Sequence, residues 1–145
     1  MSYTCPCCGY RTFSEPVGSD DICPVCFWED DLVQLAFPDL AGGANRVSLI
    51  EGQKNYALYG VCEPAMKQHV CKPSEGEQRD ESWEPYDPTR HRALNWDSEA
   101  DSKLWQQVKD NRINLYYWRP EFWRRQSFHG PCGASIERRA NEQLL

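Results

Sequence analysis

Four cysteines stand in two pairs of identical spacing, Cys5-Pro6-Cys7-Cys8-Gly9 and Cys23-Pro24-Val25-Cys26-Phe27. In a C-x-x-C turn both sulfurs reach one ion while backbone amides turn toward them. Two such turns supply the four thiolates that tetrahedral zinc takes. Fourteen residues, 9–22, separate the pairs, close to the usual spacing of zinc sites. Proline after the first cysteine fixes φ where each turn begins, and Gly9 permits the positive φ that closes the first. Cys5, Cys8, Cys23 and Cys26 are therefore the candidate ligands of one structural zinc ion. Four protein ligands leave no position for the water that a catalytic zinc keeps.

Two other uses of these cysteines stay open. Iron accepts the same thiolates, and Cys-Pro-x-Cys-Gly-Tyr resembles a rubredoxin knuckle, although Phe27 rather than glycine ends the second turn. Redox or disulfide use calls for a pair at a helix start in a thioredoxin-like βαβ pattern, which these residues do not show. Cys7 lies inside the first pair and is expected to point away from the metal as a packed or spare thiol. Cys62, His69, Cys71, His129 and Cys132 form a looser set. Their spacings match no metal module, so ordinary core or surface positions are expected.

The elements that must position these side chains follow. Arg11-Thr12-Phe13-Ser14 reads as strand and residues 15–21 as a turn, giving a ribbon hairpin with a knuckle at each end. Ser48-Leu49-Ile50-Glu51 has the capping-box form and Gly60 suits a helix end, which predicts a helix over 48–59. Ser98 and Asp101 open a second helix over 98–110, with Leu104, Trp105 and Val108 as its inward stripe. Ile113 to Trp118 is rich in strand formers and stopped by Pro120. Residues 72–92 are charged, contain proline and read as an extended loop wrapped over the surface, with Trp83 and Tyr86 as anchors. Residues 135–145 carry Ile136, Ala140 and Leu144 four apart, as a short helix would. The expected fold class is α+β: an N-terminal zinc-ribbon or rubredoxin-like knuckle hairpin over residues 1–35, then a mixed remainder over 36–145 with two to three helices and a loop or linker at about 72–95.

Charge and composition narrow the function. The net charge is −6, which argues against general nucleic-acid binding, since that depends on neutralising phosphates. It leaves room for a basic protein partner. No stretch approaches the roughly 20 apolar residues of a membrane helix, and the first residues show neither a basic nor an apolar leader region, so a cytoplasmic location is expected. Glu29, Asp30 and Asp31 are a solvated turn or an acidic contact patch. Trp118 and Trp123 are candidate aromatic contacts in a segment, 118–128, that mixes aromatics with arginine and is also the only place where base stacking would be sought.

Taken as a set, Cys5-Pro6-Cys7-Cys8-Gly9, Cys23-Pro24-Val25-Cys26-Phe27-Trp28-Glu29-Asp30-Asp31, Gly42-Gly43-Ala44-Asn45, Ser48-Leu49 and Asn55-Tyr56 resemble the bacterial CPCC cysteine-rich family over about residues 3–62. The resemblance implies a zinc-ribbon-like N-terminus with Cys5, Cys8, Cys23 and Cys26 as metal positions, and it implies no activity. Small cytoplasmic proteins of this kind also serve as immunity proteins that block bacterial toxins. No nucleophile–base arrangement stands out, and Gly42-Gly43 lacks the lysine and hydroxyl of a phosphate loop. The expected function is a non-enzymatic, zinc-bound protein-interaction module, with a toxin-neutralising immunity protein as its concrete form. A nucleic-acid-binding zinc ribbon is the alternative.

Overall fold

The computed structural model describes residues 2–95, 97–109 and 115–119, with the side chain of Val108 excepted. Strand β1 (Tyr3–Thr4) pairs antiparallel with β2 (Arg11–Phe13). The turn between them is the first C-x-x-C knuckle itself. The second knuckle is closed in the same way by an isolated bridge between Ile22 and Glu29. The N-terminal hairpin, with β2 on the predicted strand, fits the expected zinc-ribbon-like knuckle, and each of the two knuckles reverses its own chain. The reason is local: the two hydrogen bonds that close a knuckle return the chain antiparallel within six residues.

Helix α1 (Leu32–Ala36) follows directly, and the sequence analysis did not anticipate it. Asp31 caps it, its Oδ1 accepting from the Val33 and Gln34 amides at 2.8 and 3.2 Å, as an N-cap aspartate does. Helix α2 (Leu49–Tyr59) begins at Ser48, whose hydroxyl accepts from the Glu51 amide, and ends at Gly60 with φ of 78°. Both ends agree with the predicted helix over 48–59. A 3-10 helix, Pro64–His69, comes next, and α3 (Glu99–Val108) is capped by Ser98 as predicted.

The core is continuous across the predicted boundary at residue 35. It gathers the knuckle cysteines, Phe13, Val17, Trp28, Leu35, Leu49, Cys62 and the run Leu115–Trp118. A smaller cluster of Ala36, Phe37 and Leu94 meets Leu104 and Trp105 of α3, with the Phe37 and Trp105 rings edge-on at 5.8 Å. Leu115, Tyr116, Tyr117 and Trp118 form a turn, Arg119 N–H donating to the Tyr116 carbonyl at 3.1 Å, and not the predicted strand. All four of these side chains are buried. Ile113 and Asn114 of that predicted strand, the segment 120–145 with its predicted terminal helix, and Trp123, His129 and Cys132 lie outside the described residues.

Gln34 organises the layer between α1 and the loop before α2. Its amide nitrogen donates to the Leu40, Asn45 and Val47 carbonyls at 2.9, 3.2 and 3.0 Å, and its oxygen accepts from both nitrogens of Asn45 at 3.0 Å. The side chain is fully buried. Gln34→Leu keeps the volume and strands these groups without partners, so it is expected to cost on the order of 3 kcal/mol, measured by urea unfolding of the metal-loaded protein.

Candidate metal centre

The two knuckles are closed by the same pair of backbone bonds. In the first, Cys5 N–H donates to the Tyr10 carbonyl at 2.9 Å and Gly9 N–H to the Cys5 carbonyl at 2.8 Å. In the second, Cys23 N–H donates to Trp28 and Phe27 N–H to Cys23, again at 2.9 and 2.8 Å. The residue after each second cysteine is left-handed: φ is 83° at Gly9 and 71° at Phe27. Glycine adopts this freely, whereas Phe27 carries a strain of about 1 kcal/mol. The Phe27 ring stacks on His69 at 5.1 Å.

These turns bring Cys5, Cys8, Cys23 and Cys26 together, all four fully buried, with every sulfur within 4.8 Å of the others. Cys5 and Cys26 sulfurs are 3.7 Å apart, and those of Cys8 and Cys23 are 3.8 Å apart. An ion–sulfur bond of about 2.3 Å in a regular tetrahedron places neighbouring sulfurs about 3.8 Å apart, whereas a disulfide needs about 2.05 Å. The residues therefore fit one metal ion held by four thiolates, and the described cysteines are all free thiols. Four thiolates suit zinc and iron alike.

Electrostatics point the same way. Burial pushes the Cys5 and Cys26 thiols well above their ordinary value and raises Cys7 as well. Hydrogen bonds from Cys26, Cys5 and Cys8 pull Cys23 far down, and Thr12 Oγ1 lies 3.1 Å from its sulfur. The thiolate is thus favoured at Cys23 and opposed at Cys5, Cys7 and Cys26. A dry site with four thiolates requires a cation at its centre.

Residues far along the chain complete the first knuckle. Segment 78–80 lies along β2: Arg11 N–H donates to the Gln78 carbonyl and Asp80 N–H to the Gly9 carbonyl, at 2.9 and 2.8 Å. Trp83 Nε1 and Gln53 Nε2 both donate to the Pro6 carbonyl at 2.9 Å. Arg79 donates from Nε and Nη2 to the Cys8 carbonyl at 3.1 and 2.8 Å. Its guanidinium sits over the Tyr10 and Trp83 rings and brings positive charge toward the thiolates. Tyr116 Oη donates to the Thr4 carbonyl at 2.8 Å. Trp83 is an anchor, as the sequence analysis expects, and it also explains Gly9 a second time: a Cβ there would lie 2.6 Å from the Trp83 ring.

Asp80 is the charged hub of this wrap, 3% exposed. Its carboxylate accepts from Thr4 Oγ1 at 2.7 Å, from Ser82 N and Oγ at 3.0 and 2.7 Å, and from Arg119 Nη2 at 3.3 Å. Burial pushes its carboxyl up, but the bonds from Ser82 and Thr4 together with Arg119 outweigh that and hold it at about 2. No signal in the sequence marks Asp80 or Arg79 as neighbours of Thr4 and Cys8.

The remaining sequence-selected residues divide as follows. Asp30 is fully buried: its Oδ2 accepts from Gly18 N, Ser19 N and Ser19 Oγ at 2.9, 3.1 and 3.0 Å, and burial raises its carboxyl. Asp31 caps α1 and accepts from Ala44 N at 2.8 Å. The backbone of Glu29 pairs with the Asn45 side chain, and Glu29 itself is half-buried. Asp30 and Asp31 thus hold turns together, and Glu29 and Asp31 remain half-exposed. Trp118 is 7% exposed and stacks on Tyr116 at 4.4 Å, while Arg119 pairs with Asp80. This part of segment 118–128 therefore offers no open stacking surface. Cys62 is buried, and His69 and Cys71 are exposed. Among the described residues the one convergent group of metal-ligating side chains is the four-cysteine set.

Gly9→Ala is expected to cost about 2–4 kcal/mol, from left-handed strain and from overlap with Trp83, read by urea unfolding. Asp80→Asn is expected to destabilise by about 2 kcal/mol at neutral pH. The folded carboxyl lies below its unfolded value of roughly 3.9, so the contribution of Asp80 is complete above that value and is lost as pH falls toward about 2. The stability gap between wild type and Asp80→Asn should hold steady from pH 7 to about pH 5 and narrow below about pH 4.

No curated protein matches the chain in sequence. A family model described as cysteine-rich CPCC matches residues 3–77, just over half of the 145 residues. The match extends past the segment of about 3–62 on which the resemblance was read. It takes in both knuckles, α1, α2 and the 3-10 helix, and stops short of Arg79 and Asp80. On this match the chain belongs to the cysteine-rich CPCC family.

Proposed function

We propose that this chain is a zinc-stabilised protein-interaction module and not an enzyme. The observation that carries this reading is the closed tetrahedron: four fully buried thiols at the spacing of one ion's ligands, with no ligand position left for a reacting molecule. An ion held this way stabilises the fold and does no chemistry on a substrate. Zinc is favoured because a closed four-cysteine site on paired knuckles is the usual structural zinc arrangement. A metal in this position ties β1, β2 and the entry to α1 together without a large aliphatic core.

The interaction part of the reading rests on surface left over once the site is built. Leu58 and Tyr59, at the end of α2, are 72% and 49% exposed, and apolar side chains held out on a stiff helix end suit a binding face. The concrete form we carry forward is an immunity protein of the cytoplasm that binds and neutralises a bacterial toxin. Small size and a net charge of −6 support it.

Protein purified without metal in the medium and reconstituted with cobalt is expected to show the visible bands of a tetrahedral tetrathiolate, at one equivalent. Excess chelator under reducing conditions is expected to remove those bands together with the near-ultraviolet signal of the buried aromatics, because metal binding and folding are linked. Native purification followed by elemental analysis and mass spectrometry should give one zinc and a stoichiometric protein partner. Iron at the site, or a protein recovered with no partner under any growth condition, would sink the corresponding half of the reading.

A further inference from the structure

A groove of about 480 Å³ runs between the last turns of α2 and the strap at 79–85, lined by Tyr56, Ala57, Gly60, Arg79, Trp83 and Pro85. Its size lies in the range of binding clefts. Arg79 is the one formal charge among these residues. It is exposed, and among the described residues no carboxylate pairs with it. Each of the other described arginines, Arg11, Arg46, Arg90, Arg92 and Arg119, has an acid beside it. The guanidinium is also held in place: Nε and one N–H of Nη2 are fixed on the Cys8 carbonyl, with the Tyr10 and Trp83 rings at 4.9 and 5.1 Å. The N–H bonds of Nη1 have no partner among the described residues, and neither has the Tyr56 hydroxyl. The other polar groups of this region are occupied, Gln53 by Pro6, Tyr117 and Tyr86, and Trp83 Nε1 by Pro6. The groove therefore presents unpaired donors on Arg79 and Tyr56 and no carboxylate of its own, between aromatic walls. Tyr59, three residues beyond Tyr56 on α2, is exposed and apolar.

We propose that this groove docks a carboxylate-bearing segment of a partner protein, with Arg79 and Tyr56 receiving the carboxylate and with Trp83 and Tyr59 flanking an apolar neighbour in the same segment. A preset guanidinium beside a hydroxyl donor matches a carboxylate, and little ordering is left for binding to impose. This deepens the reading of the chain as a protein-interaction module by naming the chemistry of the partner at one face. It also explains why the strap is pinned to the knuckle: the metal site holds the arginine still.

The test uses the full, metal-loaded chain and three fluorescein-labelled peptides, in which alternating Leu and Phe residues are separated by Glu, by Gln or by Lys. Fluorescence anisotropy should show binding of the Glu peptide and binding weaker by about tenfold or more for the Gln and Lys peptides. Arg79→Gln should abolish that preference, with cobalt spectra confirming an intact metal site. Tyr56→Phe leaves the knuckle untouched and should weaken the Glu peptide by roughly threefold to tenfold. Equal binding of the Glu and Gln peptides overturns the proposal, as does binding of a short oligouridylate in place of the Glu peptide. If the co-purifying partner is retained equally by wild type and by Tyr56→Phe and Arg79→Gln proteins with intact metal spectra, the groove is not its docking site, while the module reading stands.

Discussion

Four sulfurs closed into one buried tetrahedron set the terms for the rest of this chain. Burial raises the cost of ionising Cys5 and Cys26, yet a metal ion held by four cysteines needs its ligands ionised. An ion held there and the charges of its ligands would depend on each other, since neither is tolerated alone in a dry site. Each knuckle must also turn amides inward and leaves carbonyls facing outward. Those carbonyls need donors, because a buried carbonyl without a partner costs as much as a lost hydrogen bond. Much of the irregular structure of the protein can be traced to supplying them.

The two knuckles are supplied from different stretches of the chain. The second takes its donors from within the family-matched residues: Cys62 N–H meets the Cys26 carbonyl at 2.8 Å and Cys71 N–H the Pro24 carbonyl at 3.1 Å. Asn55 in turn holds the Cys62 carbonyl at 2.8 Å. The first knuckle draws on Gln53 of α2, and otherwise on Arg79, Asp80, Trp83 and Tyr116, all beyond residue 77. The long charged segment after residue 72 is therefore a strap with a defined role, and its arginine and aspartate do different work. Asp80 is consumed by Thr4, Ser82 and Arg119, whereas Arg79 keeps donors free.

The acidic residues after the second knuckle have structural work to do. Glu29-Asp30-Asp31 follows the second knuckle directly, where the chain must turn out of the metal site and into a helix. A carboxylate at that point satisfies amides that nothing else reaches: Asp30 serves the turn at 18–19, and Asp31 serves both the first turn of α1 and Ala44. A Cβ on Gly43 would lie 2.6 Å from Asp31 Oδ2. Gly43 and Asp31 are thus two sides of one contact.

The ligand set, the two knuckle turns, the ends of α2 and the start of α3 were legible in the sequence because each is written in a short window. Cysteine spacing, a capping serine and a closing glycine act through bonds that span only a few residues. The second left-handed position was not, because Phe27 occupies it against its own preference and only the closing of the knuckle imposes the conformation. Helix α1 was missed because its cap, Asp31, was grouped with neighbouring acids as surface charge. The turn at 115–118 was read as strand because consecutive aromatics favour one, whereas the Arg119 N–H closes back on the Tyr116 carbonyl. Arg79, Asp80 and Trp83 carry no local signature at all: they act across 70 and more residues of chain. What short-range hydrogen bonding and metal chelation dictate, the sequence decided alone. Which distant donors would meet the outward carbonyls of the first knuckle, and which arginine would be left unpaired beside it, was settled only when the chain packed.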